Sequence, residues 1–439
     1  MPHRASLAAL AAVLLLAGCL PAAPISAPLP PTGTAPASPP AATTAQAPAM
    51  SFPEVVLVPG AGAAGRQVLG LARNDSTSPL RDVSLTIDLL DTDGASLGSI
   101  TAPLLLSTLQ PGALSPFRAA VPSGLAPVST RLALDGYRLG TRIPIDVALE
   151  SVSIAPSPDG AELLGLVRNE GTQPLRIREM AVVWRDIGGL LAGADLAILP
   201  QVAVPSDGSV PWRAPAPGAV EGGEIDVFFA AATVLRPGAD VQLELSVDPA
   251  WHRTAQGRGF VTGEIRNPGA LPVLPEVAVT LWSQGELVGL EILRSAVPLP
   301  PGETLAFGAE TFPSLSERLE RLGVAPQDVV PSAIVSGSAA PVSTEARLDI
   351  AILYFETIGS RVYLEGTLTR TGEQPLAGAE IHGALRSVDG ELQSAAWMPI
   401  APGSPGTPVP FRLDLPLPAG IDAALSEIDL RAIGLPFSP

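Results

Sequence analysis

The side chains able to do chemistry are few in this chain of 439 residues: one cysteine, three histidines, 26 arginines and no lysine. Without lysine there is no Schiff-base nucleophile and no phosphate-binding lysine of the P-loop kind. His252 and His382 stand 130 residues apart, His3 lies near the start and Cys19 is alone, so neither a zinc cluster nor a cysteine–histidine catalytic pair can be assembled. Asp91-x-Asp93-Gly94 opens like a calcium loop but lacks the later oxygen ligands and the bidentate glutamate, so it reads as a hairpin turn. No Gly-x-Ser-x-Gly elbow has a matching histidine. A formal net charge of −17 leaves no basic face for phosphates, so nucleic acid is not an expected partner. No catalytic residue, metal ligand or cofactor is expected, and the chain does not read as an enzyme.

One loop concentrates chemistry of another kind. Trp251-His252-Arg253, with Arg258 close behind, lies between two apparent strands of a protein in which only 4% of residues are aromatic. A tryptophan beside cations can anchor a ligand. Equally, Trp251 can fold back to cap a sandwich while the arginines pair with local acids. These four residues are the candidate binding loop.

The start of the chain carries an address. Arg4 precedes an apolar run from Leu7 to Leu16, and Leu16-Ala17-Gly18-Cys19 follows without further charge. The run falls short of the about 20 apolar residues that cross a bilayer, so residues 1–18 read as a signal peptide. The ending Leu16-Ala17-Gly18-Cys19 resembles the lipobox of bacterial lipoproteins. That resemblance implies cleavage before Cys19, a diacylglycerol thioether on its sulfur, and an extracytoplasmic protein lipid-anchored to a bacterial membrane. Leu20 stands where the family's inner-membrane retention signal has Asp, which implies the outer membrane or the cell surface. The acidic chain would be repelled by anionic headgroups, so the membrane contact expected here is through the N-terminal lipid alone. Residues 19–50 continue as a linker: Leu20 to Met50 holds nine Pro, ten Ala and no charged residue. Such a tether stays disordered and extended, reaching up to about 90 Å.

The elements that must carry these residues emerge from self-comparison of the remainder. Gly70, Gly165, Gly263 and Gly366 are spaced by 95, 98 and 103 residues. Four residues after the first three comes Asn74, Asn169 or Asn267; nine after all four comes Pro79, Pro174, Pro272 or Pro375. Gly94, Gly189, Gly285 and Gly390 follow, then Gly112, Gly208, Gly302 and Gly406, each shortly before an aromatic: Phe117, Trp212, Phe307 and Phe411. Short apolar runs ending in Asn, a proline at strand entry, alternating runs such as Val83, Leu85, Ile87, Leu89, and Asp-Gly pairs at turns predict antiparallel strands with a buried face. The fold class expected is therefore all-β: four tandem antiparallel sandwiches of the immunoglobulin or fibronectin kind, over residues 51–140, 141–240, 241–343 and 344–439. They are expected as separate beads with short connections near 140, 240 and 343. In the third module Val277, Val279 and Leu281 have opposite parity relative to Gly263, which predicts a one-residue bulge there. Leu315, Leu319 and Leu322 behind Pro313 predict one short surface helix over Ser314 to Leu322.

The module resembles the bacterial FxLYD-type sandwich through Gly70, Asn74, Pro79, Asp93-Gly94, Pro111-Gly112 and Phe117. That resemblance implies an extracytoplasmic, non-catalytic module with no site residues to carry over. The function expected is a cell-envelope lipoprotein serving as a multi-domain spacer or scaffold that presents interaction surfaces to an envelope protein or glycan. The alternatives are a carbohydrate- or peptide-binding surface receptor and assembly through exposed strand edges.

Overall fold

The computed structural model describes residues 49–436 except 60–64, 142–145, 158–159, 221, 236–242, 311–314, 341–347 and 374–375. The signal Leu16-Ala17-Gly18-Cys19, nearly all of the linker, and Pro375 lie outside the described residues. What is described is almost wholly strand, paired antiparallel throughout.

The first module runs β1 (Met50–Pro59), β2 (Arg66–Asn74), β3 (Leu80–Leu90), β4 (Ser96–Pro103), β5 (Thr108–Leu109), β6 (Leu114–Ala120) and β7 (Ser129–Leu139). The second runs β8 (Val147–Ser157), β9 (Gly160–Asn169), β10 (Leu175–Arg185), β11 (Leu191–Leu196), β12 (Ser209–Pro215) and β13 (Ile225–Val234). The third has β14 (Glu244–Arg253), β15 (Gly259–Arg266), β16 (Val273–Ser283), β17 (Glu286–Arg294), β18 (Thr304–Ala309), helix α1 (Leu315–Arg321) and β19 (Val330–Ala339). The fourth has β20 (Leu348–Ile358), β21 (Arg361–Arg370), β22 (Leu376–Arg386), β23 (Leu392–Ile400), β24 (Pro408–Pro416) and β25 (Glu427–Pro436). One topology recurs four times. A front sheet takes the orders β1-β2-β6, β8-β9-β12, β14-β15-β18 and β20-β21-β24; a back sheet takes β4-β3-β7 (with β5 also on β3), β11-β10-β13, β17-β16-β19 and β23-β22-β25. Front and back sheets share an apolar core in each module, so the all-β sandwich class holds.

The repeated sequence markers are contacts. Each marker glycine stands opposite its module's aromatic across the front sheet: Gly70 opposite Phe117, Gly165 opposite Trp212, Gly263 opposite Phe307, Gly366 opposite Phe411. The ring lies over the glycine so closely that a β-carbon would come within 2.4 to 2.7 Å of it in all four. The asparagines do more than end a strand. Asn74, Asn169 and Asn267 are fully buried. Each Nδ2 donates to a carbonyl four residues on (Ser78, Gln173, Leu271, all 2.9 Å) and to one beyond the next hairpin (Leu109 at 3.0 Å, Val204 at 3.0 Å, Leu299 at 2.8 Å). Each Oδ1 accepts the amide two residues ahead at 3.0 Å. One side chain thus satisfies two carbonyls and one amide in a place without water.

Two sequence expectations need correction, and one turn departs from its copies. The extra residue that reverses the parity of the third module lies in the others: the third strand is bulged near Arg81–Ser84, Ile177–Met180 and Leu376–Gly378, whereas β16 pairs with β19 without a shift. The helix forms where expected but is only partly on the surface: Leu315 and Leu319 join the core of the third module and Arg318 is buried, while Glu320, Arg321 and Leu322 are exposed. In the second module's late turn the left-handed residue is Asp207 (φ 61°), whose amide donates to Asn169 O as those of Gly112, Gly302 and Gly406 do to Asn74, Asn267 and Arg370; Gly208 stands one place too far.

Nor are the modules isolated beads. Residues 48–439 cluster as one unit, because the front sheet of each of the first three modules packs on the back sheet of the next. Leu69 and Leu71 meet Val183, Leu191 and Ala194; Leu164 meets Ala278, Leu287 and Leu290; Gly308 lies against the backbone of Ala395. Charged groups bridge each seam. Arg185 reaches Glu54 at 2.8 Å and Arg118 reaches Asp195 at 2.8 Å. Arg213 reaches Glu291 at 3.1 Å, and Arg318 lies 3.6 Å from Glu162. Burial brings the Arg318 guanidinium down to about 10. At the third seam Arg386 pairs with Glu264, and Arg431 with Glu303 at 2.9 Å.

Candidate functional site

The candidate binding loop is the hairpin between β14 and β15. Thr254 N donates to Arg258 O at 2.8 Å, Gly257 N to Thr254 O at 2.9 Å, and Thr254 Oγ1 accepts Arg258 N at 3.1 Å. A tight turn of this kind throws Arg253 and Arg258 outward, and both are exposed. The loop is fastened to the fourth module, since Ala419 N donates to Arg253 O at 2.7 Å and Thr254 bridges Pro418.

Between this hairpin and the fourth module opens a cleft of about 470 Å³ at the third seam. Trp251, Arg253 and Arg258 enter it from the hairpin, Glu310, Leu315 and Leu319 from the rest of the third module, and Ser360, Arg361 and Pro416 from the fourth. The structure therefore brings three of the four predicted residues together. His252 points the other way, as alternation along a strand requires. Its ring stacks on Phe260 with centroids 5.1 Å apart, and Nε2 shares a 2.8 Å hydrogen bond with Thr262 Oγ1. Burial holds its imidazole below the ordinary value.

Trp251 folds back onto its own module. It is half-buried, packs against the third core and lies over Gly259, where a β-carbon would fall 1.9 Å from the ring. It also forms one wall of the cleft. Electrostatically the wall is positive. Arg361 is engaged by Glu310 and by Asp414 at 2.8 Å. Burial pulls its guanidinium down, but these two acids outweigh it and hold Arg361 above its ordinary value. Burial pushes the Glu310 carboxyl up, with Arg361 and, farther off, Arg258 pulling it back. Of the three guanidiniums in the lining, Arg361 is taken up by Glu310 and Asp414, which leaves Arg253 and Arg258 beside the indole of Trp251, an arrangement able to bind an anionic or planar polar group.

Glu310, Ser360 and Arg361 were not singled out from sequence. Glu310 follows β18 and Ser360-Arg361 open β21, and only the docking of the two modules brings the glutamate to the other two. Deeper in the same seam, Glu380 accepts Ser295 Oγ at 2.7 Å and Ala296 N at 2.6 Å, with His382 Nε2 at 3.2 Å. Burial pushes this carboxyl up, and the three donors more than offset it, holding Glu380 below its ordinary value. Asp91 is spent within its turn, where Oδ1 accepts Asp93 N at 2.9 Å and Ala95 N at 2.8 Å. Among the described residues no three His, Cys, Asp or Glu side chains gather as a metal site, and no helix is long and apolar enough to cross a membrane.

No family model matches this chain, and no curated protein matches it. Among solved structures it is similar to native alpha-2-macroglobulin of Escherichia coli at 12% identity and a TM-score of 0.12, covering 84% of this chain and 28% of that one. The same protein activated by porcine elastase gives 11% identity and a TM-score of 0.14, covering 88% of this chain and 44% of that one. Dimeric latent PorU of Porphyromonas gingivalis gives 10% and 0.12, covering 71% and 36%. The chain spans less than half the length of each, and at such TM-scores the likeness carries no argument about what this chain does.

Proposed function

We propose that this protein is a non-catalytic lipoprotein of the bacterial cell envelope, processed at Cys19, tethered through residues 19–50, and built of FxLYD-type sandwiches that serve as a multi-domain scaffold outside the cytoplasm. The observation that supports it best is the closure of three successive seams by apolar side chains and bridging ion pairs. Modules joined in this way hold their outer surfaces at fixed distances from the anchor, which suits a presenting scaffold better than a flexible string would. The test is labelled-palmitate incorporation into the full chain in a bacterial host, with fractionation. Label on the wild type and its loss with release from the membrane in Cys19→Ala is the expected outcome; an unlabelled, cytosolic wild type overturns the reading.

A second reading, a surface receptor for a carbohydrate or peptide, is favoured by the cleft in which Trp251, Arg253 and Arg258 converge. It expects Arg253→Ala/Arg258→Ala to keep the thermal transition and abolish binding to isolated envelope glycan or peptide. Unchanged binding in that variant removes the cleft from consideration.

A further inference from the structure

Two sheets of the stack have no module against their outer face among the described residues: the back sheet of the first module and the front sheet of the fourth. They differ in kind. The first is small and polar along its middle rows, with Ser84, Thr86, Asp88, Ser99 and Thr101 and with Ser99 Oγ donating to Asp88 at 2.5 Å, and carries Tyr137 and Leu139 exposed at the far end of β7. That is how a stack of repeats is closed off to water. The fourth presents Tyr354, Ile358, Tyr363 and Arg412 along its outward rows, interspersed with Glu356, Glu365 and Thr367. Two of the chain's three tyrosines are here. At the free edge of β20, Ile352, Leu353 and Phe355 are 49, 71 and 38% exposed. Tyrosine and arginine over an apolar border is the composition of an interface centre, not of a solvated cap.

Arg412 makes the argument specific. It follows the marker aromatic Phe411, as Arg118 follows Phe117 and Arg213 follows Trp212. In the first two modules this arginine crosses the seam to an acid of the next module, Asp195 or Glu291. Arg412 has no next module to reach among the described residues. Its guanidinium instead lies 4.2 Å above the Tyr363 ring and 3.3 Å from Glu365 on its own sheet. The face used three times for docking is thus present a fourth time, with its bridging arginine held ready. A second copy docking head to tail would set these aromatics on the polar face of Ser84, Thr86 and Asp88. Two fourth modules facing each other would match apolar with apolar, and a two-fold axis would bring Arg412 of each copy to the Glu365 carboxylate of the other.

We propose that the outer face of β20-β21-β24 is the interface of a two-fold homodimer, with Tyr354, Ile358 and Tyr363 at its centre and Arg412 paired across it with Glu365 of the second copy. The experiment is sedimentation velocity over a wide concentration range on the full chain carrying Cys19→Ala, so that no acyl group drives association. A reversible monomer–dimer equilibrium is expected, weakened about tenfold or more by Arg412→Glu and by Tyr363→Ala, as for interface hot spots. Arg412→Glu and Glu365→Arg chains, each impaired alone, recover dimerisation when mixed. Far-ultraviolet circular dichroism checks that each variant is folded. A monomer at every concentration overturns the proposal, as does association untouched by either substitution. Open-ended polymers abolished by Thr86→Arg indicate head-to-tail docking and overturn it too.

Discussion

Trp212 stands directly across the front sheet from Gly165, and its ring occupies the volume that any side chain at position 165 would need. A β-carbon there would lie 2.3 Å from Ser151 O and 2.7 Å from the indole. Both obstacles are fixed, one by the β8–β9 pairing and the other by a fully buried ring. Gly165→Ala is therefore expected to cost about 2 kcal/mol or more through overpacking, read as a lowered denaturant midpoint. Trp212→Leu should relieve part of that loss in the double variant. Full additivity of the two changes would show that ring and glycine do not constrain each other.

The asparagine staple predicts a second loss. Asn267 is buried, and replacing it with Leu leaves Gly269 N without its acceptor and the Leu271 carbonyl without this donor, while Leu299 O keeps Val273 N. Buried unpaired groups of this kind cost about 1–3 kcal/mol each. Equilibrium unfolding of Asn267→Leu should show that loss, and Asn267→Asp should be at least as damaging because it buries a charge. Arg370 occupies the matching place in the fourth module, so no such loss is expected on substituting it.

A third prediction concerns the seams. Val183 faces out of its own sandwich yet is fully buried against Leu69 and Leu71 of the first module. Val183→Asp places an unpaired carboxylate in that seam and should separate the first module from the rest. Calorimetry is expected to show one transition in the wild type and a resolved early transition in the variant. A wild type that already melts in independent steps would mean the seams contribute little. The half-buried pair Arg185–Glu54 in the same seam should show a coupling of about 1 kcal/mol in a double-mutant cycle, above the usual exposed pair.

Acid should destabilise the last two modules. Burial keeps His252 below its ordinary 6.5, so the neutral ring is the form the fold favours. Its contribution is complete above 6.5 and is lost as pH falls through the folded value. Glu380, held below 4.5 despite its burial by His382, Ser295 and Ala296, acts with the same sign further into acid. Melting temperature should therefore drop between pH 7 and 5, and His252→Gln, which keeps a partner for Thr262, should flatten that slope. Glu310 works against the trend: its carboxyl is raised, so its contribution is present below 4.5 and fades as pH rises through the folded value. An identical slope in His252→Gln would locate the acid sensitivity elsewhere.

Much of the fold was legible because its devices repeat. Gly70 and Phe117, or Gly165 and Trp212, could be found as recurrent types at recurrent spacing, although nothing along the chain says that the members of each pair touch. The parity change in the third module was visible only as an offset, and an offset cannot say which copy carries the extra residue. The seams were hidden for a different reason. Met180 to Trp184 and Val277 to Leu281 are buried on both faces, one row in a core and the other under the neighbouring module, and the sequence shows runs that are apolar but for Thr280. The cleft was half legible: Trp251, Arg253 and Arg258 announce themselves in a chain poor in aromatics, whereas Arg361 and Glu310 become relevant through docking alone.

Because each inner sheet serves two neighbours, the order of the modules is itself encoded. Excising the second module would confront Leu69 and Leu71 with Trp282 and the Glu276–Arg294 pair, shapes they were never cut for, and exchanging any two modules would mismatch several seams at once. The polypeptide behaves like a sentence with grammatical agreement between adjacent words: no copy can be shuffled without rewriting its neighbours.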